Sequence, residues 1–187
     1  MAHVGEVIVN PAQATYTTFL TTAHDMHDEL LQMDYRIAPY GRRGKKDVHI
    51  HPLQEERITV LSGRLTYLLD GKVLTAGPGQ VVSLPPPHAH ALRNDNGEEL
   101  HMIVEFRPAL DIETFLETMA GLARDGKVDE NGNPNLLQLA VIGEAFKNEV
   151  VNANIPRRLQ RLLIPSLARI GRAVGYRERY AKYSGAG

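Results

Sequence analysis

Two histidines one residue apart, His49 and His51, stand five positions before a carboxylate, Glu56, in the stretch "DVHIHPLQEERITVLSG". On an extended segment residues i and i+2 share a face, so the two imidazoles project together and can chelate one ion. A turn at Pro52 would bring the chain back and set Glu56 beside the pair. Ile58 and Val60 share the Glu56 face, which places the carboxylate in an apolar interior. An unpaired carboxylate there is costly, and a bound cation is one way to offset that cost. A third imidazole, His90 in "GQVVSLPPPHAHALRN", follows about 30 residues later on another extended segment. Three neutral nitrogens and one anionic oxygen suit a divalent Fe, Mn, Ni, Co or Zn ion. Six-coordination would leave two positions for water, dioxygen or a chelating substrate, and Glu56 could partly detach to accept a proton.

The elements that must position these residues come from hydrophobic periodicity. In "ELLQMDYRI" Leu31, Met33, Tyr35 and Ile37 alternate with polar residues, the signature of a half-buried strand. "ERITVLSG" and "RLTYLLDGKVLT" read as strands, the second with Asp70-Gly71 as a two-residue hairpin turn. "VVSLP" and "ELHMIVEFRP" complete a run of short strands separated by Gly, Pro and Asn turns, which points to a small β-barrel or sandwich. The period changes at Pro108. "DIETFLETMAGLARDGK" carries Ile112, Phe115, Leu116, Met119 and Leu122 at helical spacing, with Asp111 as cap. Asn133 and Pro134 open a second helix. A third carries Leu159, Leu162, Leu163, Leu167, Ile170 and Val174 along one stripe, and Pro165 predicts a kink or break near Leu162. The loop from Gly126 to Asn133 reads as a mobile connection. Residues 1–108 therefore form a β-barrel domain and residues 109–187 a helical extension, packing on the barrel or on a second subunit.

Composition excludes several alternatives. The 187 residues are 23% charged and 43% apolar, ordinary values for a globular chain. There is no cysteine, so a metal must be held by His and carboxylate. No stretch approaches the ~20 apolar residues of a membrane span, so membrane association is not expected. The N-terminus lacks a basic segment followed by an apolar run, and a cytoplasmic location is the default expectation. The net charge of −1 hides an asymmetry. From residue 156 onward eight Arg or Lys face one acid, Glu178, a surplus of seven positive charges, which leaves −8 on the first 155 residues. Such a tail suits docking on an acidic domain or a partner subunit, as in a homodimer; no DNA-binding motif accompanies it, so no nucleic-acid partner is expected.

The metal-type residues also carry a resemblance. Gly44, His49, His51, Glu56 and Gly63 match the first cupin motif, with four residues instead of five between Gly44 and His49. Gly79, Pro85, His90 and Asn94 match the second, with Pro87 where that motif has glycine. The chain thus resembles a single-domain bacterial cupin, mainly β, with a jelly-roll barrel followed by a C-terminal α-helical extension. The resemblance implies a metal held by His49, His51, Glu56 and His90. It supplies no substrate, because this fold hosts oxygenases, isomerases, epimerases, decarboxylases and non-catalytic binders. A bland alternative is a barrel that kept the four as satisfied polar core groups.

Other residues have two readings. Tyr35 and Tyr67 fall on inward faces, as core groups or as substrate-binding residues orienting a small molecule. His88 reads as a rim residue, and His24 and His27 as exposed. His101 and Glu105 share a face whose direction the sequence leaves open. Arg42, Arg43, Lys45 and Lys46 read as a solvated loop. Three functions fit: a dioxygenase-like oxidoreductase acting on a small organic molecule with Glu56 as the catalytic carboxylate, a metal-dependent isomerase, epimerase or lyase, and a non-catalytic binding module.

Overall fold

The computed structural model describes residues 2–42 and 47–184. Ten strands fill the first part: β1 (Val7–Asn10), β2 (Thr15–Thr21), β3 (Leu31–Ile37), β4 (His49–Ile50), β5 (Glu55–Ser62), β6 (Leu65–Leu69), β7 (Lys72–Ala76), β8 (Val81–Leu84), β9 (His90–Arg93) and β10 (Leu100–Arg107). Helices α1 (Ile112–Arg124) and α2 (Leu136–Ala145), a short strand β11 (Val151–Asn152) and helix α3 (Arg157–Ala173) follow. Two antiparallel sheets result, one in the order β1-β2-β3-β10-β5-β8 and the other β11-β4-β9-β6-β7. Alternation explains their contact. Leu31, Met33, Tyr35 and Ile37 of β3, Ile58 and Val60 of β5 and Met102, Val104 and Phe106 of β10 all point inward, against Leu65 and Leu92 of the second sheet.

The turns follow from their residues. Asp70 and Gly71 both adopt positive φ, 47° and 82°, as the two-residue hairpin joining β6 and β7 requires. Gly63 lies at φ 77°, and a Cβ there would stand 2.5 Å from the Glu99 carbonyl oxygen, so only glycine fits between β5 and β6. Buried Asn94 donates from Nδ2 to the carbonyls of Ile37 (3.1 Å), Ala38 (3.1 Å) and Glu98 (2.7 Å), tying the end of β3 to the β9–β10 turn. Pro87 does not prevent the preceding turn: the His88 amide donates to the Pro85 carbonyl at 3.2 Å.

The helices differ from the sequence reading in four ways. Helix α2 is capped by Asn135, whose side chain accepts from the Gln138 amide at 3.1 Å, because Pro134 is engaged in a bridge with Val128. The preceding loop is built around Asp129, whose carboxylate accepts from the amides of Asn131 and Asn133 at 2.9 and 2.8 Å. Helix α3 runs unbroken through Pro165. It meets α2 through its small residues, Ala168 and Gly171, and a Cβ on Gly171 would lie 2.7 Å from Val141; this packing outweighs the backbone donor that Pro165 lacks. Part of the apolar stripe of α3 consequently faces outward, with Leu162 71% and Val174 63% exposed, while Leu159, Leu163 and Leu167 border the cavity described below.

Three basic residues of the C-terminal segment form ion pairs within the chain. Arg172 pairs with Glu144 and Glu178, Arg179 with Asp111 (2.6 Å) and Lys182 with Asp125. Tyr183 is buried against Gly121 of α1, where a Cβ would come within 2.1 Å of its ring. Among the described residues no helix is long and apolar enough to cross a membrane.

Candidate metal centre

Register delivers the histidines. β4 and β9 pair antiparallel with His49 directly opposite His90, and His51 follows His49 after one residue on the same face. Beyond it the chain bends at Pro52 and re-enters as β5 in the other sheet, where Glu56 opposes Leu84 on one side and Phe106 on the other. The site therefore lies between the sheets. His51, Glu56 and His90 are 3%, 4% and 1% exposed.

One ligand atom from each of His49, His51, Glu56 and His90 lies within 4.8 Å of every other. His90 Nε2 stands 3.0 Å and His51 Nε2 3.6 Å from Glu56 Oε2. Each imidazole is oriented through its other nitrogen. Nδ1 of His49 sits 2.9 Å from the Asp47 carbonyl, that of His51 2.5 Å from the Glu149 carbonyl and that of His90 2.9 Å from the His88 carbonyl. A carbonyl only accepts, so the Nδ1 atoms carry the protons and the Nε2 lone pairs face one another. His51 Nε2, His90 Nε2 and Glu56 Oε2 are buried and lack a hydrogen-bond partner. Ligand atoms about 2.1 Å from a common ion stand ~3 Å apart when adjacent. The donor set and its unsatisfied atoms thus fit a divalent first-row cation.

Electrostatics set the protons of the ion-free cluster. Burial, with His51 and His90 as neighbours, holds His49 at about 3, so it is neutral near pH 7. Burial alone would raise Glu56, but His51 and His90 outweigh it and hold the carboxyl well below its usual range. For His90 the balance also goes to the partner: burial would lower it, and Glu56 raises it above the ordinary histidine value.

A cavity of about 1200 Å³ opens from this cluster. Its walls include Ile8, Thr15, Met33 and Tyr35 from the barrel, Phe115, Leu116 and Met119 from α1, and Leu159, Leu163 and Leu167 from α3. The C-terminal part also supplies β11, which pairs with β4 and sets Asn152 opposite His49.

Two charged residues of this cavity, Arg42 and Asp47, are not assigned to it by the sequence reading. Arg42 is not solvated. Its side chain is 11% exposed, and it donates to the Asp47 carboxylate and, at 3.0 Å, to the Tyr35 hydroxyl. Arg42 adopts φ +54°, a conformation uncommon for a residue with a side chain, immediately after Gly41, whose Cβ would meet Ile37 at 2.6 Å. No sequence signal separates Arg42 from the basic run in which it stands. For Asp47 a signal exists but goes unused: it shares the parity of His49 and His51.

The remaining candidates are placed as follows. Tyr35 lines the cavity, whereas Tyr67 is half-buried on β6 at the edge of the core and is not among the lining residues. His101 and Glu105 face outward, toward Asp34 (2.7 Å) and Gln32 (3.2 Å). His88 lies on the rim, bound to Asp70, and His24 and His27 are exposed. Gly44 of the first motif, with Arg43, Lys45 and Lys46, lies outside the described residues.

A family model described as a cupin domain matches residues 35–106, a span that contains all four cluster residues. No curated protein matches the chain. Among solved structures, the chain is similar to a predicted oxalate decarboxylase from Thermotoga maritima, with 18% identity over 56% of this chain and 92% of that one and a TM-score of 0.49. A polyketide cyclase from Streptomyces resistomycificus is 22% identical over 57% of this chain and 79% of that one, with a TM-score of 0.47. A sugar phosphate isomerase of the cupin superfamily from Silicibacter pomeroyi is 18% identical over 55% and 70%, with a TM-score of 0.46. At these identities and scores none of the three lends its activity to this chain.

Proposed function

We propose that this chain, which belongs to the cupin family through the domain at residues 35–106, is a metal-dependent enzyme acting on a small organic molecule, of the oxygenase class. The observation that carries the proposal is the set of buried atoms, His51 Nε2, His90 Nε2 and Glu56 Oε2, that have no hydrogen-bond partner outside the cluster, beside a cavity large enough for a small molecule. His49, His51, Glu56 and His90 would hold one divalent ion. When bound, it supplies Lewis-acid polarisation and, if redox-active, electron transfer to dioxygen.

The chain's own residues do the rest. The carbonyls of Asp47, Glu149 and His88 fix the ring orientations, so the ligand nitrogens need no rearrangement. Glu56 is the one group among the four able to take a proton from a substrate hydroxyl or carbon acid without losing the imidazole set. Apolar residues of α1 and α3 offer the substrate a surface to pack against beside the site. A homodimer through the outward stripe of α3 accompanies the proposal, supported by the exposure of Leu162, Ile170 and Val174.

The test is elemental analysis of protein purified without an affinity tag, beside the His49→Ala/His51→Ala double variant, followed by oxygen-uptake assays on a panel of small chelating substrates. About one metal per chain, lost in the variant, together with oxygen uptake, is expected. Turnover without oxygen uptake would replace the oxygenase reading by isomerase or lyase chemistry, and no metal in either protein, even after reconstitution, would refute the centre.

A further inference from the structure

Metal binding does not explain the burial of one charged group in the cavity. Arg42 is almost fully buried, its Nε has no partner, and it lines the same cavity as His49, His51 and Glu56. A buried guanidinium is expensive unless its donors are satisfied. Asp47 and the Tyr35 hydroxyl satisfy two of its nitrogens and leave the third. The charges point the same way. Glu144, Lys147, Arg157 and Arg161 also line the cavity, on α2, α3 and the link between them; among the groups of the cluster itself, a divalent ion added to Arg42, Asp47 and Glu56 leaves one positive charge in excess. A single negative charge on the bound molecule would cancel it.

The rest of the cavity specifies the body attached to that charge. From the cluster an apolar stripe of wall runs along Phe115, Leu116 and Met119 of α1 to Leu159, Leu163 and Leu167 of α3, a corridor flanked by the polar Glu144, Lys147, Arg157, Gln160 and Arg161.

We propose that the site takes an amphiphilic monocarboxylate, its head received by Arg42 beside the ion and its apolar chain lying in the corridor between α1 and α3. The proposal deepens the metal-centre reading and rests on it for the excess charge. Tyr35 and Asp47 are then positioning residues, which hold the guanidinium plane in place without touching the ion.

The test is calorimetric binding of acetate, hexanoate, decanoate and decanol to zinc-loaded protein, whose metal content is measured in the same samples. Decanoate is expected to bind at least about tenfold tighter than decanol, the worth of one charge-assisted hydrogen bond. It should also bind tighter than hexanoate, by up to about fourfold per added methylene. Arg42→Met should keep its zinc and lose the preference for decanoate over decanol, and Arg42→Lys should keep part of that preference. Leu163→Gln, at a half-exposed position that leaves the fold intact, should flatten the dependence on chain length.

Equal binding of decanoate and decanol to wild-type protein, or a preference that survives in Arg42→Met, would overturn the role of Arg42. Acetate binding as tightly as decanoate would overturn the corridor. An Arg42-dependent preference in a wild-type protein that takes up no zinc would refute the metal centre and leave the carboxylate site standing.

Discussion

Replacing Glu56 by glutamine isolates the carboxylate's contribution, because the side chain keeps its size while its charge is lost. Glu56 Oε2 lies 3.0 Å from His90 Nε2 and 3.6 Å from His51 Nε2, so the variant removes the only anion among the four cluster residues. Metal sites of four protein ligands bind with roughly 12 kcal/mol, or about 3 kcal/mol per ligand if shared evenly, which corresponds to ~100-fold in affinity. Binding to the native state alone stabilises by linkage. At a metal concentration of 100 times the dissociation constant the gain is about 2.7 kcal/mol, or roughly 5–11 °C in Tm for a chain of this length. At the same concentration the variant would sit near its own dissociation constant and gain about 0.4 kcal/mol, or ~1–2 °C. Thermal unfolding of metal-free and metal-supplemented protein, read by circular dichroism because the chain has no tryptophan, measures both. Equal metal-induced rises in the two proteins would refute the reasoning, because Glu56 would then contribute nothing to the ion.

Other outcomes follow from the same geometry. His51→Ala should lose stoichiometric metal while the barrel still folds, and elemental analysis showing full occupancy would remove His51 from the ligand set. Metal retention should fall on acidification, since protons compete with the ion for the imidazole nitrogens and the Glu56 carboxylate; a dialysis series against pH reads this. The Lys182 and Tyr183 bonds hold Asp125 at about 2, below its ordinary value, so their contribution to tail docking is present above about pH 4 and is lost as pH falls toward 2. Hydrogen exchange of residues 176–184 should accelerate in that window and no higher. Gly121→Ala should cost about 1–3 kcal/mol by driving a methyl into the Tyr183 ring, and urea unfolding should show Tyr183→Ala recovering part of it in the double variant. Sedimentation should report a dimer that Leu162→Glu dissociates; a monomeric wild type would contradict pairing through α3.

What the sequence made legible is what obeys a local period. His49 and His51 are read together because a strand repeats every two residues, and Glu56 is placed inward because Ile58 and Val60 share its parity. The Asp70-Gly71 hairpin and the change of period at Pro108 are local for the same reason. Arg42 was not legible. Its inward course depends on a left-handed backbone beside Gly41 and on Asp47 and Tyr35, contacts that a basic run cannot announce. The α3 stripe was recognised but its direction was not. Leucines mark an apolar face, yet the face that packs is chosen by shape, and Ala168 and Gly171 admit α2 more closely than any leucine would. The buttress on His51 was equally hidden, since a backbone carbonyl at Glu149 leaves no trace in residue type.

That buttress has a consequence in time. All four cluster residues have been synthesised once His90 is added, but the carbonyl that orients His51 and the strand that flanks His49 come from residues 149–152. At ~5–20 residues per second, the 62 residues from 90 to 152 take roughly 3–12 s to be made. During that interval a nascent barrel carries three imidazoles and a carboxylate with one ring unfixed and one strand edge open. An ion captured in that interval would meet a looser site than the finished one, so the order of chain emergence, as well as the ligand set, would bear on which ion the site takes.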